Sequence, residues 1–133
     1  MSIEINLPGP LAELETAFRR YETALVTNDV ATLDALFAPS PHTIRYGLAE
    51  NLYGRDEILA FRKARPSVGL ARTLSRTVIT TYGTEFGIAS TLFHRASAPG
   101  KIGRQMQSWV RFPEGWRVLA AHVSLIETDE RSP

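Results

Sequence analysis

Four β-type segments, 72–82, 85–95, 102–112 and 116–126, follow one another with only short breaks between them. They are rich in Thr, Val, Ile and Trp. The breaks carry turn chemistry: Gly83, then Ala98-Pro99-Gly100, then Glu114-Gly115. A run of this kind predicts a long antiparallel meander, and a meander has an apolar face that must be covered.

The cover has to come from the N-terminal half. Leu11, Leu14, Phe18, Tyr21 and Leu25 recur at spacings of three and four, one face of an amphipathic helix. It should begin after Pro8-Gly9-Pro10 and end near Asn28-Asp29. Asp29 suits the N-cap of a second, short helix from Val30 to Phe37, stopped by Pro39-Ser40-Pro41. His42 to Leu48 alternates and predicts a strand, with Asn51-Leu52-Tyr53-Gly54 as a turn. Arg55 to Arg65 predicts a third helix, with Ile58, Phe61 and Arg62 on related faces, closed by Pro66. The tail from Thr128 is polar and is expected to fray.

The order α-α-β-α-β-β-β-β implies an α+β fold. A curved, mostly antiparallel sheet wraps around the N-terminal helices and leaves a cone with an open mouth. The 133 residues suit one domain, 1–133, with no repeat or linker.

Composition removes several function classes. A net charge of +1 gives no field for nucleic acid or an anionic membrane. With 0 cysteines there is no disulfide framework and no thiolate nucleophile. The three histidines lack metal-ligand spacing, so no metal and no cofactor are expected. There is no Gly-x-Ser-x-Gly elbow and no phosphate loop. No stretch is apolar enough to span a bilayer, and Met1-Ser2-Ile3-Glu4 does not read as a signal peptide. The expectation is a cytoplasmic protein.

The last hairpin points to a pocket. If Glu114-Gly115 is a two-residue turn, Gln107 pairs with His122, Gln105 with Ser124 and Trp109 with Ala120. Gln105, Gln107 and His122 then share one face, a polar row that suits the wall of a wet cavity. His42 reads as a strand-start residue and His94 as solvent-facing. In the first strand Thr43, Arg45 and Gly47 share a face. An inward Arg45 would need an anion, or a structural Glu such as Glu50 or Glu22. Tyr21 is either a core tyrosine with a satisfied hydroxyl or a phenol at the pocket floor. Arg62, Arg65 and Arg72 could steer anions to the mouth, although most arginines of this kind are solvated surface charge. On the outer face Trp116, Val110, Leu119 and Val123 could form a homodimer or dock a partner.

The set of local sequences resembles a known family. Its pieces are Arg20-Tyr21-Glu22, Ala24-Leu25, Asn28-Asp29, Leu36-Phe37 and Pro41-His42-Thr43. They continue with Arg45-Tyr46-Gly47, Glu50-Asn51-Leu52-Tyr53-Gly54, Ala60-Phe61-Arg62 and Ala64-Arg65-Pro66. Last come Gly103-Arg104-Gln105, Gln107-Ser108-Trp109, Gly115-Trp116-Arg117 and Ala120-Ala121-His122-Val123-Ser124. In this order they resemble the AtzH/HpxZ-like family of bacterial ureide and cyanuric acid catabolism, within the nuclear transport factor 2-like, SnoaL-like superfamily. Met106 departs from that family, which generally has Ser or a similar residue there.

The resemblance implies a cofactor-independent decarboxylating amidohydrolase acting beside an amidase. Its substrate would be a small anionic ureide, of the 1,3-dicarboxyurea to allophanate type. It further implies catalytic roles for Tyr21 and Arg45; the polar row of the last hairpin, Gln105, Gln107 and His122, would then bind substrate. The alternative is a non-catalytic binding or assembly module that partners an amidase. An isomerase or dehydratase would need a carboxylate base, for which only Glu50 or Glu22 is at hand.

Overall fold

The computed structural model describes residues 2–128. The tail beyond Thr128, expected to fray, lies outside them. Thr128 itself is held, its backbone N–H and its hydroxyl both donating to the Gly100 carbonyl at 2.9 Å.

Helix α1 (Pro8–Val26) buries Leu14, Phe18, Tyr21, Ala24 and Leu25, the predicted face. Helix α2 (Val30–Leu36) begins where Asp29 accepts from the Thr32 backbone N–H at 3.1 Å. This satisfies one of the free amides of the first turn. Strand β1 (Ile44–Tyr46) is shorter than expected. Residues 51–53, read from sequence as a turn, instead form strand β2 (Asn51–Tyr53). The reversal comes earlier, where Gly47 N–H donates to the Glu50 carbonyl at 2.9 Å. Helix α3 (Arg55–Ala64) follows. The meander is β3 (Thr73–Tyr82), β4 (Phe86–His94), β5 (Lys101–Phe112) and β6 (Gly115–Glu127).

All six strands form one sheet in the order β2-β1-β6-β5-β4-β3. Among these six strands only the β1–β6 pairing is parallel; it sets Arg45 beside Ala121. The concave side packs on the helices through Ala89, Trp109, Trp116, Val118 and Ala121, against Leu14, Phe18, Leu25, Leu33 and Ile58. The α+β cone predicted from element order is the observed architecture.

One irregularity decides which residues reach the interior. The turn of the last hairpin is Pro113-Glu114, so Phe112 faces Gly115 and Trp109 faces Val118. Ser108 then faces Ala120, which leaves Leu119 as an extra residue in β6. A β-bulge of this kind shifts the alternation by one, and every later side chain changes face. Trp116 and Val118 point inward before it, Ala121 and Val123 after it.

Candidate functional site

Tyr21 lies on the inner face of α1 with 1% of its surface exposed. Its ring meets the edge of Trp109 at 6.4 Å and tilts against Phe37 at 6.2 Å. The hydroxyl, however, meets a cation: Arg62 Nη2 donates to it at 3.2 Å. Arg62 comes from α3, one turn beyond the buried Ile58, and is 1% exposed. Its Nε and Nη1 have no partner among the described residues.

Arg45 enters from β1 on the same face as the buried Thr43, as its strand parity predicts. Its Nη1 donates to Glu50 Oε1 at 3.0 Å, while its buried Nε has no partner. Arg72, just before β3, grips Glu22 through Nε at 2.7 Å and Nη2 at 2.6 Å. The same Nη2 donates to Gln105 Oε1 at 3.0 Å. Arg65 at the end of α3 and Arg95 just beyond β4 complete the group; each has buried nitrogen without a partner.

Five guanidiniums thus face two carboxylates. Glu50 answers Arg45 and Glu22 answers Arg72. Arg62, Arg65 and Arg95 have no acidic partner among the described residues. Arg62 is buried and Arg65 and Arg95 are half-buried; a cation withdrawn from water is costly unless an anion joins it.

The protonation equilibria carry the same signature. Burial alone would raise the Tyr21 phenol, but Arg62, Arg45 and Arg72 outweigh it, and the phenol is held below its usual value. Burial, then Arg62, depresses Arg45. Burial with Arg62 and Arg45 takes Arg65 down to about 10. Burial, then Arg72 and Arg45, depresses Arg95. The arginines feel one another's fields and that of Tyr21, so they belong to a single neighbourhood.

Gln105 and Gln107 line the concave face of β5, both buried. The Gln107 carbonyl accepts from Trp109 Nε1 at 3.1 Å, as that of Gln105 accepts from Arg72. Both amide oxygens are therefore engaged. Both Nε2 groups are buried without partners, left as donors. Apart from the two paired carboxylates and the phenol oxygen, the interior offers donors. That chemistry recognises a small molecule rich in carboxylate and carbonyl oxygen.

The structure brings together four of the five residues proposed from sequence: Tyr21, Arg45, Gln105 and Gln107. His122 is not among them. It pairs with Met106 rather than Gln107 and lies exposed on the convex face, its ring 6.0 Å from Tyr46. The Leu119 bulge put it there. The same bulge turns Val123 inward, and Trp116 is also buried, so neither belongs to the outer face.

Arg62 and Arg72, read as surface charge, are interior; the Arg72 side chain is 1% exposed. Arg62 could have been found four residues after Ile58 on the buried stripe of α3. Arg95 has the strand parity of the buried Thr91 and Phe93. Glu22 and Glu50, the two candidate bases, are each committed to an arginine.

A sequence model of the AtzH-like family matches residues 3–129, almost the whole chain. The chain belongs to the AtzH-like family. Two solved structures are similar to this AtzH-like chain in both sequence and shape. One is a protein of unknown function from Pectobacterium atrosepticum, 58% identical, covering 92% of this chain and 95% of that one, with a TM-score of 0.90. The other is a cystatin-like fold protein from Burkholderia xenovorans, 45% identical, covering 96% of this chain and 100% of that one, with a TM-score of 0.91. An NTF2-like protein of unknown function from Pseudomonas putida is 13% identical, with coverages of 92% and 96% and a TM-score of 0.72. At that identity it bears on fold alone, and the fold is NTF2-like. The comparison with curated proteins gave no match. No helix among the described residues is long and apolar enough to cross a membrane.

Proposed function

We propose that this AtzH-like chain is a decarboxylase of small N-carboxylated ureas, converting a 1,3-dicarboxyurea to allophanate and carbon dioxide without a cofactor. The observation that carries this reading is the set of buried, unpartnered donors around Tyr21: Arg45 Nε, Arg62 Nε and Nη1, and the Gln105 and Gln107 amides. They match the carboxylate and carbonyl oxygens of such a ureide. Arg45 clamps a carboxylate, and the glutamines orient the urea carbonyl. The nitrogen–carboxyl bond breaks and its electron pair moves onto the urea nitrogen. Tyr21 delivers a proton there, carbon dioxide departs, and solvent later restores the phenol.

Arg62 serves both partners of the proton transfer. It makes the phenol a stronger acid, and its free nitrogens face charge that develops on the urea. Hydrolytic attack by water would give the same organic product. The test is direct. Purified protein alone should accelerate dicarboxyurea loss above the spontaneous rate and yield allophanate. Equal rates with and without protein would reject catalysis.

A second reading has one supporting feature. The convex face around Ile44, Tyr46, Ile88, Met106, Ala120 and His122 is largely apolar, with Met106 57% exposed. We propose this face, with the half-buried Val110 and Leu119 nearby, as a homodimer contact or amidase dock. Sedimentation of the purified chain as a monomer, with no change on adding an amidase, would remove it.

A further inference from the structure

Four of the five arginines repeat one arrangement twice. Arg45 and Arg65 both stack on Phe61, with guanidinium carbons 5.2 and 5.7 Å from the ring centre. Arg72 and Arg95 both stack on Phe93, at 4.5 and 5.0 Å. In each set one arginine is anchored by a glutamate, Arg45 by Glu50 and Arg72 by Glu22. The other, Arg65 or Arg95, is held only by stacking and has no acidic partner among the described residues. A ring with an anchored fork and a free fork is a preformed carboxylate station, because the cation–π contact holds the guanidinium over the ring before the ligand arrives.

The stations are built on different elements. Phe61 belongs to α3, beside β1; Phe93 belongs to β4, on the far side of β5 and β6. With strands about 4.8 Å apart, β1 and β4 are separated by roughly 14 Å of backbone, which two long arginines narrow from either side. The free arginines also share one rim. Arg65 opens the loop after α3 and Arg95 the loop after β4, and these loops meet where the Ser97 hydroxyl donates to the Gly69 carbonyl at 3.4 Å. Tyr21 and Arg62 lie inside, at the phenol–guanidinium contact.

We infer that the site selects linear dianions with a carboxylate at each end, and that Arg65 and Arg95 determine this selectivity. The inference rests on the ureide reading and adds to it. A doubly carboxylated urea fills both stations, whereas a singly carboxylated product fills one and leaves. One guanidinium fork on a carboxylate supplies hydrogen bonds strong enough for about a tenfold or larger effect on affinity.

The experiment is calorimetric titration of the purified chain with acetate and with malonate, succinate, glutarate and adipate. One of the dicarboxylates should bind at least about tenfold more tightly than acetate. Arg95→Gln and Arg65→Gln should each remove that advantage while leaving acetate affinity within about twofold, and Arg95→Lys should restore only part of it. Acetate binding as tightly as every dicarboxylate would overturn the inference without recourse to any variant. So would variants, folded by circular dichroism, that weaken acetate and the dicarboxylate equally. The titration requires no turnover, so a failure to consume dicarboxyurea would reject the decarboxylase reading and not this one.

Discussion

The Arg62 guanidinium donates to the Tyr21 phenol at 3.2 Å, joining two helices across 41 residues of chain. That contact makes Tyr21 an acid and also gives it a structural role. Tyr21→Phe separates the two. The ring keeps its packing on Trp109 and Phe37, and the arginines stay in place to hold an anion. Turnover of dicarboxyurea should fall by about 10²–10⁴, the usual worth of a positioned proton donor. Succinate-induced thermal stabilisation should persist. Retained turnover would show that another group supplies the proton.

The depressed phenol predicts a pH profile. Tyr21 acts in its protonated form, so activity falls as pH rises through its folded pKa. Arg62, Arg45 and Arg72 hold that value below the usual 10.0 despite burial. The alkaline limb of kcat should therefore lie below the ordinary tyrosine range. Removing a cation disfavours phenolate and raises the pKa. Arg62→Gln should move the limb upward, toward that range, while lowering the plateau. A limb that stays fixed in this variant would separate the titration from Tyr21.

Arg62 also places function and stability in opposition. It is buried and without a carboxylate partner, which favours the unfolded chain. Arg62→Met keeps a long side chain against Tyr21 and Phe37 and removes the charge. In urea denaturation without ligand the variant should gain about 0.5–2 kcal/mol, the range of common stabilising substitutions. It should also lose most of the stabilisation that dicarboxylates give the wild type. A less stable variant would show that the guanidinium is satisfied in the resting protein.

His122 shows where sequence stops being legible. The three helices and the meander, the α1 stripe and the Asp29 cap were all readable, because each depends on local periodicity or local hydrogen bonding, whereas the short strand β2 was read as a turn. The parity of Arg45 was readable too, and so were Gln105 and Gln107 on one strand. Facing across the hairpin was not. It depends on a single extra residue, Leu119, in an alternating stretch where nothing local distinguishes a bulge from regular pairing. Arg62 and Arg72 were hidden for another reason: a charged side chain reads as solvated until the fold shows what surrounds it. His122→Ala should leave dicarboxyurea turnover and dicarboxylate affinity unchanged within about twofold, as expected of a surface substitution remote from the site. A large loss of turnover with intact folding would return the histidine to the site.

Gly103 links packing to selectivity. It faces Phe93 across the β4–β5 ladder, and a Cβ added there would run into the Phe93 ring. That ring is 1% exposed and carries both Arg72 and Arg95, so it cannot move alone. Gly103→Ala should cost about 1–3 kcal/mol through overpacking. It should also displace one carboxylate station and leave the one on Phe61 intact, since Arg45 and Arg65 lie over Phe61 and not over Phe93. Urea unfolding measures the first effect. Paired titrations with succinate and acetate measure the second, where only the preference for the longer ligand should drop. Equal losses for both ligands would mean that the two rings respond as one body and that the stations are not independent.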